Sequence, residues 1–139
     1  MSTTIRASLS VRNPYWIDRH RYYELKHFCL QYPLWQKQLK ELSYPLAGNT
    51  DIPTVNGSND LRNPTAEQAE KRSFYQERIG MIERTAKCAA DDLSDYILKA
   101  VTQETSFTAL QTQYDIPCGK DTYYDLYRKF FWLLSQERQ

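Results

Sequence analysis

Chemistry in a small protein needs reactive side chains within reach of one another, so the scarce ones come first. His20 and His27 are the only histidines. Their spacing can put both on one helical face, but no further ligand lies close in sequence, and a metal site needs three or four. Cys29, Cys88 and Cys118 are odd in number, widely spaced and form no CxxC. That is the usage of reduced, intracellular thiols rather than of a disulfide framework. Cys118 stands near a helix start, where a thiol's pKa can fall. Both histidines lie about ninety residues upstream of it, so it reads as a small core residue. Asp91 and Asp92 read as a helix restart, not as a general acid and base. No nucleophile elbow, Gly-rich phosphate loop or HExxH occurs. Neither enzymatic activity, nor a cofactor, nor a bound metal is expected.

The remaining chemistry is that of hydrogen-bonding and charged groups near the C-terminus. Within KDTYYDLYRKFFWLL, Tyr123, Tyr127, Phe130 and Leu134 recur at helical spacing and predict a buried stripe. With that stripe inward, Lys120, Asp121, Tyr124, Asp125 and Arg128 face outward. An arginine fork matches a guanine edge or a phosphate, and a tyrosine can meet a thymine methyl or a phosphate. Lys120 and Lys129 suit phosphates. Asp125 can accept from cytosine N4, or pair with Lys129 one turn on. Asp121 is expected at the third helical position, steadying the helix start. The bland alternative is a solvated face on an ordinary core helix.

Such a face needs elements to hold it. Ser106 is a helix cap ahead of Phe107, Leu110 and Tyr114, which share one face. The corner DIPCG follows, with Ile116 as an apolar plug and Cys118 at the expected cap position of the last helix. Two helices about a tight corner, with a preceding helix to close the core, make a helix-turn-helix. Upstream, Asp18 caps a helix carrying Tyr22, Leu25, Phe28, Cys29 and Tyr32, which Pro33 ends. Leu34, Trp35, Leu39 and Leu42 form the stripe of a second short helix. Asn63 and Pro64 start a further helix with Phe74, Ile79, Met81 and Ile82 as apolar members. After Asp91–Asp92 come Leu93, Tyr96, Ile97, Ala100 and Val101 on one face, so residues 64–103 are two helices or one bent one.

The fold class expected is all-α: a small helical bundle ending in a helix-turn-helix, with a long loop at about 43–62. Its parts are a flexible arm at 1–12, an N-terminal helical unit at 13–42, the loop at 43–62, and a helical domain at 63–139. No run of apolar residues is long enough to span a membrane, and the N-terminus lacks the apolar core of a signal peptide. The compartment expected is the cytoplasm.

Net charge is +1 over the whole chain, which is not a polycation. It is unevenly spread: residues 1–43 carry seven basic and three acidic groups, while 106–139 carry four of each. A locally neutral last third is a weak footprint for DNA by itself. Dimerisation, or help from Arg6, Arg12, Arg19, Arg21 and Lys26, would be required. There are 11 tyrosines, and the first third is dense in aromatics: Tyr15, Trp16, Tyr22, Tyr23, Tyr32 and Trp35. Whatever part of that set is not core would be a sticky patch of the kind partners use.

The stretches YILKAVTQETSFTAL, DIPCGKDTYYDLYRKFF and LLSQER resemble the C-terminal region of phage late-gene transcription regulators of the ArpU/RinA type, over about Ser73 to Arg138. Those regulators are similar to region 4 of sigma factors and carry a helix-turn-helix. YELKHFCLQYPLWQ and NPTAEQAEKRSFYQERIGMIE also resemble a group of short, mostly uncharacterised prophage proteins of gut Firmicutes. The resemblance implies a support helix at 107–114 and a recognition helix at 119–135. It adds Thr122 to Lys120, Tyr124, Asp125 and Arg128 as DNA contacts. The expected partner is double-stranded promoter DNA, bound as a homodimer in a host bacterium, with RNA polymerase or another host protein as a further partner. Two alternatives stay open. One is a protein-binding inhibitor of a host machine, such as a defence nuclease (anti-CRISPR-like) or RNA polymerase. The other is a small-terminase-like packaging protein that binds DNA as a ring.

Overall fold

Asp18 begins the first helix as a carboxylate cap should: its Oδ2 accepts from the backbone N–H groups of His20 and Arg21. The chain is seen in a computed structural model that describes residues 13–43 and 54–138, with side chains at 13–42 and 66–138. Among the described residues six α-helices follow one another: α1 Arg19–Leu30, α2 Tyr32–Ser43, α3 Thr54–Ala90, α4 Ser94–Gln103, α5 Phe107–Tyr114 and α6 Lys120–Glu137. No strand occurs among the described residues, so the protein is all-α.

The chain divides into two compact units. The first takes its described residues from 13–32 and 81–138, and the second lies within Pro33–Gly80. This differs from the expected N-terminal unit at 13–42. Pro33 is where the chain parts: α1 stays with the C-terminal helices, while the rest of α2 joins the first part of α3. The expected loop at 43–62 is also shortened, because α3 begins at Thr54 and carries Pro64 inside it rather than at its first position. Proline favours the first position of a helix. A proline inside a helix removes one backbone bond and is disfavoured, not forbidden. The arm at 1–12, and 44–53 of the expected loop, lie outside the described residues.

In the first unit α1 packs on α4 and α6, α4 packs on α6, and α5 leans on α4. The core is the periodic set made real: Leu25, Cys29, Ile82, Ile97, Val101, Leu110, Phe130, Phe131 and Leu134 are fully buried. Tyr22 of α1 stands edge-on to Phe131, with ring centroids 5.1 Å apart, and its hydroxyl lies 3.1 Å from that of Tyr127. Among the described residues the two buried threonines are satisfied within their own helices. Thr85 donates to the Met81 carbonyl and Thr102 to the Leu98 carbonyl. Arg21 closes the far end of α6: its guanidinium donates to the carbonyls of Ser135 and Arg138 and to Ser135 Oγ. Those carbonyls have no partner inside the helix, and a cation there also suits the dipole.

Between α3 and α4, Asp91 adopts left-handed backbone (φ 46°) and opens a 3₁₀ turn at Asp91–Leu93. The expected restart is thus a break, giving two helices rather than one. Glu104 (φ 55°) and Asp115 (φ 55°) end α4 and α5 in the same region.

In the second unit α2 meets α3 near Arg72 and Ile79. Pro33 and Ile79 line one groove, and Arg72 donates to the Leu42 carbonyl. Trp35 and Ile79 are buried there. Two expected stripe members are not: Leu34 is 52% exposed and Phe74 44% exposed. Phe74 instead lies beneath Arg78, whose guanidinium carbon sits 3.6 Å from the ring centroid.

Burial raises the phenol pKa of Tyr22, Tyr123 and Tyr127. For Tyr32 burial again leads, followed by the hydrogen bond it gives to Glu83. A group whose pKa is raised on folding stabilises the fold below its unfolded value, about 10 for tyrosine, and that contribution is lost as pH rises through the folded value. At about pH 10.5 the folded chain is expected to show less phenolate absorbance than the chain in denaturant. The deficit should vanish in the same step as the helical circular dichroism. Equal phenolate in the two states would contradict the buried arrangement.

Candidate nucleic-acid interface

The site begins at the corner between α5 and α6. Ser106 Oγ accepts from the Ala109 N–H and starts α5. Phe107 and Leu110 face the core, but Tyr114, expected on the same face, is 42% exposed and lies under Lys99 Nζ, 4.7 Å from its ring centroid. Tyr114 is the last residue before the left-handed Asp115, where the chain turns away from the helix line. That turn lets the Ile116 N–H donate to the Leu110 carbonyl at 3.1 Å and buries the Ile116 side chain. Aspartate tolerates left-handed backbone better than most side chains, so no glycine is needed here.

The cap of α6 is Gly119, not Cys118. Gly119 is extended (φ −82°, ψ 174°) and no side chain caps the helix. Space for a β-carbon there is open, with nothing within 4 Å. The first N–H groups of α6, at the positive end of its dipole, are therefore unobstructed by a capping side chain. Cys118 is half-buried, and burial pushes its thiol pKa up rather than down. Asp121 is at the second helical position, one place earlier than expected, and Thr122 is at the third.

Tyr123, Tyr127, Phe130, Phe131 and Leu134 hold α6 to the core. Phe107 of α5 meets Tyr123 with ring centroids 5.2 Å apart, and so fixes the start of α6 against α5. The opposite side carries the candidate contacts. Lys120, Asp121, Thr122 and Asp125 are exposed, and Tyr124, Arg128 and Lys129 half-buried. Thr122, Tyr124, Asp125 and Arg128, with Asp121, line one shallow depression of about 440 Å³. Lys120 and Lys129 do not line it. Asp125 pairs with Arg128, not with Lys129: Oδ1 lies 3.6 Å from Nη2. The Nε of Arg128 is buried and has no hydrogen-bond partner among the described residues.

The basic helpers expected from the first third are largely committed elsewhere. Arg21 holds the end of α6, and Lys26 pairs with Glu104 at 3.4 Å. Arg19 is exposed, while Arg6 and Arg12 lie outside the described residues. Of the aromatic set, Tyr22, Tyr32 and Trp35 are core and Tyr15 rests against Trp132, leaving Trp16 and Tyr23 exposed. His20 and His27 are both exposed. Among the described residues no three His, Cys, Asp or Glu side chains come together as a metal site. No helix among them is long and apolar enough to cross a membrane.

No protein family, curated protein or solved structure matches the chain.

Proposed function

We propose that the chain is a DNA-binding transcriptional regulator of phage type, with α5, the corner and α6 as its helix-turn-helix. The early turns of α6 enter the major groove of promoter DNA, and the chain acts as a homodimer. The observation that carries this reading is the two-sided character of α6. One side is locked by aromatic packing, and the other presents Thr122, Tyr124, Asp125 and Arg128 together beside an uncapped helix start. Arg128 supplies guanine or phosphate recognition, while Lys120 and the first N–H groups of α6 supply phosphate contacts. The resemblance to late-gene regulators points the same way. Two copies are needed because one neutral helix pair neutralises too few phosphates for tight binding.

The test is fluorescence anisotropy on phage-promoter duplexes with random duplex as competitor, at low and near-physiological salt. Lys120→Ala with Arg128→Ala is expected to weaken binding about 10- to 100-fold, as the loss of one base contact and one phosphate contact implies. Lys120 is exposed and Arg128 half-buried, so helical circular dichroism and the melting temperature are read alongside to confirm that the double variant folds. Undiminished binding by the folded double variant would refute the recognition-helix assignment.

A second reading, a protein-binding inhibitor of a host machine, draws on the exposed Trp16 and Tyr23. Duplex binding that survives Trp16→Ala with Tyr23→Ala, while capture of a host protein is lost, would favour it. Mass in solution separates the dimer from a packaging ring.

A further inference from the structure

The Asp125–Arg128 pair lies at the centre of the proposed DNA face, and it creates a tension. An aspartate beside a phosphate-seeking arginine repels the DNA backbone, so for simple electrostatic attachment it is the wrong residue. The geometry makes it useful for something narrower. Asp125 is exposed and reaches Arg128 through one carboxylate oxygen, Oδ1, at 3.6 Å. Its pair partner is mostly covered, with 23% of the arginine side chain exposed against 62% of the aspartate. Arg128 therefore lies beside Asp125 before DNA arrives, with its Nε buried and its terminal nitrogens at the depression. Thr122 and Tyr124 wall the same depression.

Resting on the DNA-binding reading above, we infer that Asp125 and Arg128 form a single two-residue reader. Arg128 takes the O6 and N7 of a guanine, and the free oxygen of Asp125 takes the N4 amino group of a neighbouring cytosine. Both requirements follow from donor and acceptor chemistry: a guanidinium fork fits the two acceptors of guanine, and a carboxylate can only accept. Where no amino group meets it, the carboxylate faces the negative edge of the duplex, and binding suffers. Asp125 thus lowers attachment to arbitrary sequence while supporting attachment to the matching one. It is a specificity determinant rather than a source of affinity.

The experiment is selection from a randomised duplex pool with the full chain, wild type and Asp125→Asn, followed by anisotropy on the enriched duplex and on a scrambled one. Helical circular dichroism and melting temperature confirm that the variant folds. Wild type is expected to enrich a motif with a guanine and an adjacent required cytosine. Asp125→Asn, whose amide can donate as well as accept, should keep the guanine and relax the cytosine requirement to admit bases with an acceptor there. Its affinity for scrambled duplex should rise about three- to fivefold, the worth of removing one exposed repulsive charge. Arg128→Ala should lose the guanine. An Asp125→Asn protein that enriches the same motif, and changes both affinities by one common factor, would overturn the paired reader and leave the DNA-binding reading standing. Wild type that binds no duplex even at low salt would overturn both.

Discussion

Phe131→Ala is expected to lower the stability of the chain by about 3–5 kcal/mol, the range for deleting a buried aromatic ring. Phe131 is 2% exposed. Its ring meets three others, with centroids 5.1 Å from Tyr22, 5.1 Å from Tyr127 and 5.0 Å from Phe130. The contacts with Tyr22 and Phe130 are edge-on and that with Tyr127 tilted; such contacts add to the area term, so alanine would lose both the burial and the ring–ring attraction. The cavity would open between α1 and α6, where the Tyr22 and Tyr127 hydroxyls meet. Chemical denaturation followed by helical circular dichroism measures the loss. Phe131→Leu, which keeps most of the volume, should cost clearly less. Equal costs for the two variants would mean that the site can collapse around the missing ring.

Ile116→Ala should cost about 2–4 kcal/mol, with Ile116→Val nearer 1 kcal/mol. Ile116 is 6% exposed, and it sits in the corner rather than in a helix. It is therefore not supported by helical neighbours, and its side chain ties the turn to the core. Its loss should loosen the start of α6 as well as the fold. Hydrogen exchange would separate the two effects. In Ile116→Ala, amides of the first turns of α6 are expected to exchange faster than the global stability change alone requires. Uniform acceleration along the chain would instead make Ile116 an ordinary core residue with no special hold on the corner.

The helix-by-helix pattern is legible in the residues because helical periodicity and caps are local properties. Asp18 and Ser106 cap where their spacing to the apolar stripes says they should, and Ile116 fills the corner. What escapes sequence reasoning depends on the chain bending. Tyr114 continues the spacing of Phe107 and Leu110, yet the left-handed Asp115 ends the helix beneath it and turns it out to Lys99. Leu34 and Phe74 satisfy an apolar spacing on helices that bury too narrow a stripe to cover them. The partition of the chain was not legible either, because it rests on α1 pairing with helices about a hundred residues away. The outward arc of α6 follows from the inward positions of Tyr123 and Tyr127. The partner of Asp125 does not follow: residues three and four ahead are both in reach on a helix, and side-chain packing decides between Arg128 and Lys129.

The first unit is written discontinuously along the chain, and this has a consequence for how the protein tolerates change in length. Arg21 and Ser135, in direct contact, are 114 residues apart in sequence. Everything from Pro33 to Gly80 is bracketed between two pieces of one core. Closing so long a bracket carries an entropic cost that grows only with the logarithm of its length, so doubling a flexible stretch adds only about 0.6 kcal/mol. A change in the length of chain that separates the two pieces of the core therefore costs little entropy in itself. A similar insertion within α4 or the α5–α6 corner would shift a buried stripe out of register. The proposed recognition surface thus depends on register within α4 and the corner, and not on how much chain separates the two pieces of the core that hold it.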